Sequence, residues 1–126
     1  MAGEVILGRA EIIDGDTVAL TVRGARVKVR LQGVDAPELD TRAGRAARTA
    51  LRRIVGNASV RCELTGIQSY DREVGVCFGG DGRDIGAAII AEGLALDCPR
   101  YSGGRYTALE TETSRRRLRQ APYCER

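Results

Sequence analysis

The sequence contains no histidine among its 126 residues, and this excludes several classes of enzyme. Without an imidazole the chain has no histidine general acid or base and no Ser-His-Asp triad. It also lacks the ligand that most catalytic zinc sites use. Any chemistry must therefore depend on carboxylates, arginines and a metal ion. The sequence also lacks a long apolar run of about 18 residues, so we expect no contact with a membrane interior.

Lysine is nearly absent as well, since Lys28 is the only lysine among the 20 basic residues and all the others are arginine. The formal net charge is +3. The planar guanidinium fork matches phosphate oxygens, so this composition fits an anionic polymer as partner. A genome-wide preference for arginine over lysine explains the same composition equally well. Charge alone therefore permits nucleic acid without demonstrating it.

Proline is also scarce, with 3 residues against 16 glycines, and 43% of the chain is apolar. This composition is typical of a globular protein, and the length suits one domain, residues 1–126, with a core of its own. Strand-like patterning begins by about Val5, so we expect no signal peptide in this sequence. The opening three residues are compatible with the start of a mature exported domain.

The four cysteines are spaced too widely for a CxxC metal-binding motif. Cys98 and Cys124 flank the last helical stretch, and we expect a disulfide between them that holds the C-terminus and stabilises the fold by ~3 kcal/mol. Cys62 and Cys77 lie in apolar strand patterns, where each suits a small buried hydrophobic residue, and their state is left open. A disulfide favours a secreted or periplasmic location.

Alternation of apolar and polar residues predicts three antiparallel strands between Gly8 and Val34, broken at residues 14–16 and 24–25. Two more strands are expected at 60–64 and 74–78, joined by a loop. Helices are predicted from a cap at 40–41 to about Val55, from a cap at Asp84 through Glu92, and from about 104 to 119. This order predicts an α+β fold, a closed five-stranded OB-type barrel with three α-helices.

Two acidic turns bracket an arginine on the third predicted strand: IDGDTV at 13–18 and RLQGVDAPE at 30–38. Taken singly, each turn is most often only a hairpin or a loop leading to a helix, and Arg72 in a polar loop is usually solvated. Adjacent antiparallel strands, however, bring the two turns within reach of each other. Asp16 and Asp35 can then share one hard cation, with Arg30 beside them to hold a phosphate.

These two motifs, followed by YDR at 70–72 ahead of an apolar strand, resemble the staphylococcal nuclease (thermonuclease) family. The similarity extends from about Val5 to about Leu118 and includes EGLAL at 92–96 and the closing helix. The first two motifs in this order and spacing are highly specific, and the third is weaker.

The resemblance implies a role for each matching residue. The calcium-binding carboxylates fall on Asp16 and Asp35, and the third protein ligand is the backbone carbonyl of Ala36, where the family usually has threonine. Glu38 corresponds to the residue that orients or deprotonates the attacking water. Asp14 corresponds to an acidic residue that acts on the metal through water. The phosphate-clamping arginines and the tyrosines of the nucleotide pocket fall on Arg30, Arg72, Tyr70 and Tyr101.

Two departures from the family pattern bear on activity. The usual Tyr-Gly-Arg reads YDR here, and the carboxylate of Asp71 is expected to weaken the grip of Arg72 on phosphate. The loop between Glu38 and the first helix is several residues shorter than in the best-known member, so a basic contact from that loop is expected to be missing. Neither departure removes a group from the predicted site.

The resemblance implies a monomeric Ca²⁺-dependent enzyme that hydrolyses phosphodiester bonds of DNA and RNA and leaves 3′-phosphate ends. The rival hypothesis is a non-catalytic OB-fold module that binds nucleic acid or protein, since the same barrel often only binds. The carboxylates favour the enzyme, because a pure binder has no use for three of them facing a phosphate. A third hypothesis, a structural domain held by disulfides, explains the cysteines but not the acidic turns.

Overall fold

The computed structural model describes residues 3–125, and its central feature is a closed barrel of five strands. These strands are β1 (Val5–Asp14), β2 (Thr17–Val22), β3 (Ala25–Leu31), β5 (Ser59–Ser69) and β6 (Arg72–Phe78), and they follow one another around the barrel in the order β1-β2-β3-β6-β5. Strand β1 pairs antiparallel with both β2 and β5, which closes the barrel. Strands β3 and β6 pair in parallel. The predicted five-stranded OB-type barrel is therefore confirmed.

The apolar face of each strand fills the barrel, because alternate side chains point inward. Val18, Leu20 and Val29 are completely buried, as the alternation predicted. A short strand outside the barrel, β4 (Val34–Asp35), follows β3 and pairs with a second short strand, β7 (Leu96–Asp97). This two-stranded pair was not predicted, and it holds the end of the RLQGVDAPE motif against the C-terminal part of the chain.

The first two helices begin at the predicted caps. Helix α1 (Arg42–Val55) starts after Thr41, whose hydroxyl accepts the N–H of Gly44 at 3.0 Å. Helix α2 (Ile85–Ala91) starts after Asp84, which accepts the N–H groups of the first helical turn. In both cases the side-chain oxygen satisfies backbone donors that have no partner within the helix.

The predicted continuous helix over 104–119 is wrong. The structure instead has α3 (Pro99–Ser102), a 3₁₀ turn (Thr107–Leu109) and α4 (Glu112–Arg117), so residues 3–125 contain four α-helices rather than three. Positive φ angles at two consecutive glycines after α3 interrupt any helix there. Thr111 then opens α4 with a capping box to Ser114. Tyr106 is buried between these pieces, which draws the chain into the core.

The second hairpin is longer than predicted. Strands β5 and β6 extend to a pairing of Ser69 with Arg72, so the expected loop is a tight turn at Tyr70 and Asp71. Tyr70 adopts a φ of 60°, a conformation rare for residues other than glycine. Because the turn is tight, Arg72 is the first residue of β6, and its backbone is fixed by the pairing with Ser69.

Two disulfides are present. The predicted bond between Cys98 and Cys124 is confirmed, and it links the residue before α3 to the last turn of the described chain. Cys62 and Cys77, whose state was open, form the second bond. They are register partners on β5 and β6, so the strand pairing itself brings them together. Within residues 3–125 no helix is both long and apolar enough to span a membrane.

We expect peptide mapping under non-reducing conditions to find both pairs, Cys62–Cys77 and Cys98–Cys124. Each bond restricts the unfolded chain and stabilises the fold by ~3 kcal/mol. Reduction should therefore lower the melting temperature by at least about 10 °C. Free thiols at positions 98 and 124 in protein purified without reductant would contradict this bond and the expectation of export.

Candidate active site

Asp16 lies directly before β2 and contacts residues of both acidic turns. Its Oδ2 accepts the N–H of Ala36 at 3.1 Å and lies 3.4 Å from Nη2 of Arg30. Its own N–H donates to Oδ1 of Asp14 at 3.0 Å, so Asp14 shapes the turn that presents Asp16. Burial raises the pKa of Asp16 to about 7, although the charge of Arg30 opposes this. A nearby cation would favour its ionised form.

Asp35 is buried on β4, and its partner comes from the far end of the chain. Its Oδ2 accepts the N–H of Ala121 at 2.9 Å. Burial raises the pKa of Asp35 above its ordinary value, and the negative charge of Glu38 acts in the same direction. The hydrogen bond from Ala121 and the charge of Arg30 act in the opposite direction. The two buried carboxylates therefore lie within one electrostatic environment, with Arg30 as their shared cation.

Arg30 is held rigidly by the turn between β3 and β4. Its Nη1 donates to the carbonyl oxygens of Leu31 and Val34, at 2.8 and 2.7 Å. Its Nη2 is left with two long contacts, to Asp16 at 3.4 Å and to the hydroxyl of Tyr123 at 3.5 Å. One side of the guanidinium is thus fixed to the backbone, and the other side can still bind an oxyanion.

The donors at these turns fit a hard cation. In residues 3–125 no group of three or more cysteine, aspartate or glutamate side chains is close enough to hold a metal alone. The predicted ligand set does not require one, because it combines Asp16, Asp35 and the carbonyl of Ala36, and solvent or substrate oxygens complete the shell. All of these donors are oxygens. Burial raises the pKa of both carboxylates, and a bound cation would lower the pKa of each again.

Glu38 follows the second acidic turn with an exposed side chain. Its backbone carbonyl accepts the N–H and the hydroxyl of Thr41, at 3.0 and 2.6 Å. A Cβ atom at Gly44 would lie 1.8 Å from that carbonyl oxygen, so only glycine lets α1 pack this closely against the turn. Across the described part of the chain no side chain pairs with the Glu38 carboxylate, which stays available to solvent near Asp35.

Arg72 is directed by its own hairpin. Its Nε and Nη2 donate to the carbonyl and hydroxyl of Ser69, at 3.2 and 3.0 Å. Asp71 turns away and pairs with Nζ of Lys28 at 2.7 Å. Asp71 thus has Lys28 as a partner while its charge still interacts with that of Arg72, and the weaker grip of Arg72 on phosphate stays a prediction.

A cleft of about 470 Å³ brings the predicted phosphate-binding and nucleotide-binding residues together. Its lining includes two arginines and three tyrosines, namely Arg30, Arg72, Tyr70, Tyr101 and Tyr123. Asp16, Asp35 and Glu38 do not line this cleft. Arg30 does line it, and this arginine therefore connects the acidic turns to the cleft. Tyr123 and Ala121 were not predicted as site residues. The one sequence feature that indicated their position was the expected disulfide at Cys124, the next residue after Tyr123.

The barrel, the paired acidic turns and the arginine-lined cleft together define a class, the barrels of the staphylococcal nuclease type. Comparison with known proteins agrees, since the family model described as "Staphylococcal nuclease homologue" matches residues 28–119. The chain belongs to this family.

The chain is similar to several bacterial proteins. It is 35% identical to the succinoglycan biosynthesis protein ExoI of Rhizobium meliloti (strain 1021), over 86% of this chain and 61% of that protein. It is 32% identical to the micrococcal nuclease of Shigella flexneri, over 92% of this chain and 71% of that protein. It is 30% identical to an uncharacterized endonuclease of Haemophilus influenzae, over 73% and 52%. The chain thus spans between half and three quarters of these relatives.

Proposed function

We propose that this chain is a Ca²⁺-dependent nuclease that hydrolyses phosphodiester bonds of DNA and RNA. The observation that carries the proposal is the position of Arg30. It lies between two buried carboxylates on one side and a tyrosine-lined cleft on the other, with Nη2 still able to bind an oxyanion. A phosphate seated there would lie next to the donors of a cation site. Membership of a nuclease family supports the same function.

Asp16, Asp35 and the carbonyl of Ala36 hold the cation in this proposal. When bound, Ca²⁺ supplies positive charge that neutralises the phosphodiester beside it. The chain's own contribution is to keep the two carboxylates in place: Asp16 through the N–H of Ala36 and Asp35 through the N–H of Ala121. Asp14 acts one step further out, by fixing the turn that presents Asp16.

Glu38 orients a water molecule for in-line attack on phosphorus and accepts its proton. Its unpaired, exposed carboxylate near Asp35 suits this role, since a base that is already ion-paired would be less available. Arg30 and Arg72 donate to the equatorial oxygens, where negative charge grows in the transition state. Tyr70 and Tyr101 offer exposed rings to the sugar and base, with 93% and 51% of their surface accessible.

Breakage of the 5′ P–O bond then leaves a 3′-phosphate on one fragment, as the family resemblance implies. The 5′ oxygen of the other fragment takes a proton from solvent and leaves as a hydroxyl. Sequence preference is expected to be weak, because contacts to phosphate carry no information about the base. We also propose that the protein acts as a monomer in an oxidising compartment, secreted or periplasmic, since disulfides such as its two persist in such compartments.

Degradation of denatured DNA and of RNA should require Ca²⁺ and stop in excess chelator, because the proposed ligands are all oxygens of the kind Ca²⁺ prefers. Mg²⁺ should support much slower turnover, since it demands stricter octahedral geometry. The measurement is product formation on both substrates with each ion, followed by analysis of the product ends. Full activity in chelator would show that the carboxylates have another role.

A further inference from the structure

Residues 120–124 cross the site that the two acidic turns form, and three separate contacts hold them there. Nε2 of Gln120 donates to the carbonyl of Asp97 at 2.6 Å. The N–H of Ala121 donates to Asp35, and Cys124 is joined to Cys98. These contacts anchor the segment to residues that lie 23 to 86 positions away in the sequence. These contacts fix the position of residues 120–124 relative to the cleft.

Tyr123 lies within this segment, in a 3₁₀ turn between Pro122 and Cys124. Its hydroxyl is 3.5 Å from Nη2 of Arg30, and its ring lines the cleft with 50% of its surface exposed. The neighbouring Cys124 is completely buried, so the backbone is fixed while the ring faces the open space. An exposed aromatic ring beside a phosphate-binding guanidinium suits a nucleotide, since the base can stack on the ring while the phosphate pairs with the arginine.

We propose that the segment 120–124, tethered by the Cys98–Cys124 disulfide, is part of the substrate site and that Tyr123 binds the base of the nucleotide. This inference rests on the proposed function for the identity of the substrate. The ring performs the binding. The long contact of the hydroxyl with Arg30 only sets the direction of the ring. The disulfide acts as a positioning element, because without it nothing covalent holds Tyr123 over the cleft.

The test compares two ligands that differ only in the base, thymidine 5′-phosphate and 2-deoxyribose 5-phosphate, by NMR titration in the presence of Ca²⁺. Tyr123→Ala should weaken binding of the thymidine nucleotide by about tenfold, the scale of one base–aromatic stack. Binding of the sugar phosphate should change by less than about twofold. Tyr123→Phe keeps the ring and should restore the affinity. Leu7→Ala, which removes an exposed apolar side chain from β1 outside the cleft, serves as the control.

The two disulfides provide a matched pair of variants. Replacing Cys98 and Cys124 together by alanine should reproduce the loss of nucleotide affinity seen with Tyr123→Ala. Replacing Cys62 and Cys77, which join β5 to β6, should leave that affinity unchanged. If a double variant fails to fold, as judged by its NMR spectrum, the Tyr123 variants decide the proposal alone.

Equal losses for both ligands in Tyr123→Ala would show a structural role, and unchanged affinity for both would show no role; either result overturns the proposal. Native affinity in the Cys98/Cys124 variant would overturn the part played by the disulfide. None of these measurements requires catalysis. A wild-type protein that binds the nucleotide but cleaves neither DNA nor RNA would contradict the proposed function and leave this inference standing.

Discussion

Glu38→Gln should lower turnover of denatured DNA at saturating Ca²⁺ by about 10²-fold or more, the loss expected for a positioned general base. Glutamine keeps the size of the side chain but loses its charge and basicity. In the proposed site Glu38 touches the attacking water and not the body of the substrate, so its contribution appears mainly in the transition state. The effect should therefore fall on kcat, with KM and nucleotide affinity little changed.

The control for this variant is Glu112→Gln, at the exposed start of α4, which should keep wild-type turnover. Asp35→Asn provides the contrast, because it should weaken Ca²⁺ binding before it affects any other property. Near-native turnover in Glu38→Gln would contradict the catalytic role of this carboxylate. Absence of cleavage by the wild-type protein, together with retained binding, would favour the non-catalytic OB-fold module instead.

Replacement of Arg30 or Arg72 by lysine should lower kcat almost as much as replacement by alanine, by about 10²-fold at each position. An ammonium group carries the charge but cannot reproduce the two-pronged guanidinium contact with the equatorial oxygens. Steady-state rates on denatured DNA measure the effect. Arg26→Lys is the control, since Arg26 also lies on β3. This variant should keep the wild-type rate, because the Arg26 side chain is exposed and pairs with Glu11 outside the cleft.

Variants of the two arginines should differ in melting temperature. Arg30 donates to the carbonyls of Leu31 and Val34, so its loss removes two hydrogen bonds of the fold and should lower the melting temperature as well. Arg72 bonds only within its own hairpin, to Ser69, and its variants should melt close to wild type. If Arg72→Lys kept most of its rate, a required two-pronged contact of this residue with phosphate would be excluded, and Arg30 would be the single guanidinium clamp.

The acidic turns could be predicted from the sequence because their geometry is local. Asp16 follows Asp14 at the turn into β2, and Asp35 comes shortly after Leu31, the last residue of β3. Hairpin-connected antiparallel strands bring such positions together whatever the rest of the chain does. The caps at Thr41 and Asp84 were predictable for the same reason, since a cap and the N–H groups that it satisfies lie within three residues.

The stretch 99–117 resisted prediction, because its conformation depends on distant contacts. The alanine, leucine, glutamate and arginine residues within 104–119 favour a helix locally, and the burial of Tyr106 with its hydrogen bond to Asp84 overrides that preference. The pairing of Cys62 with Cys77 could not be read from the sequence either. It follows from the register of β5 against β6, which shifts between Leu64 and Gln68, around a glycine with a positive φ at position 66.

Alternation and turn residues act over short stretches, so they were enough to predict the barrel and the two acidic turns. The positions of Cys98 and Cys124 around the last helical stretch predicted their disulfide. The surroundings of the acidic turns depend instead on the complete fold. It places Ala121 on Asp35 and Tyr123 beside Arg30, contacts that span 86 and 93 residues. No local preference encodes such contacts. They form only when the barrel has closed and the Cys98–Cys124 disulfide holds the turn at Pro122–Cys124 beside it.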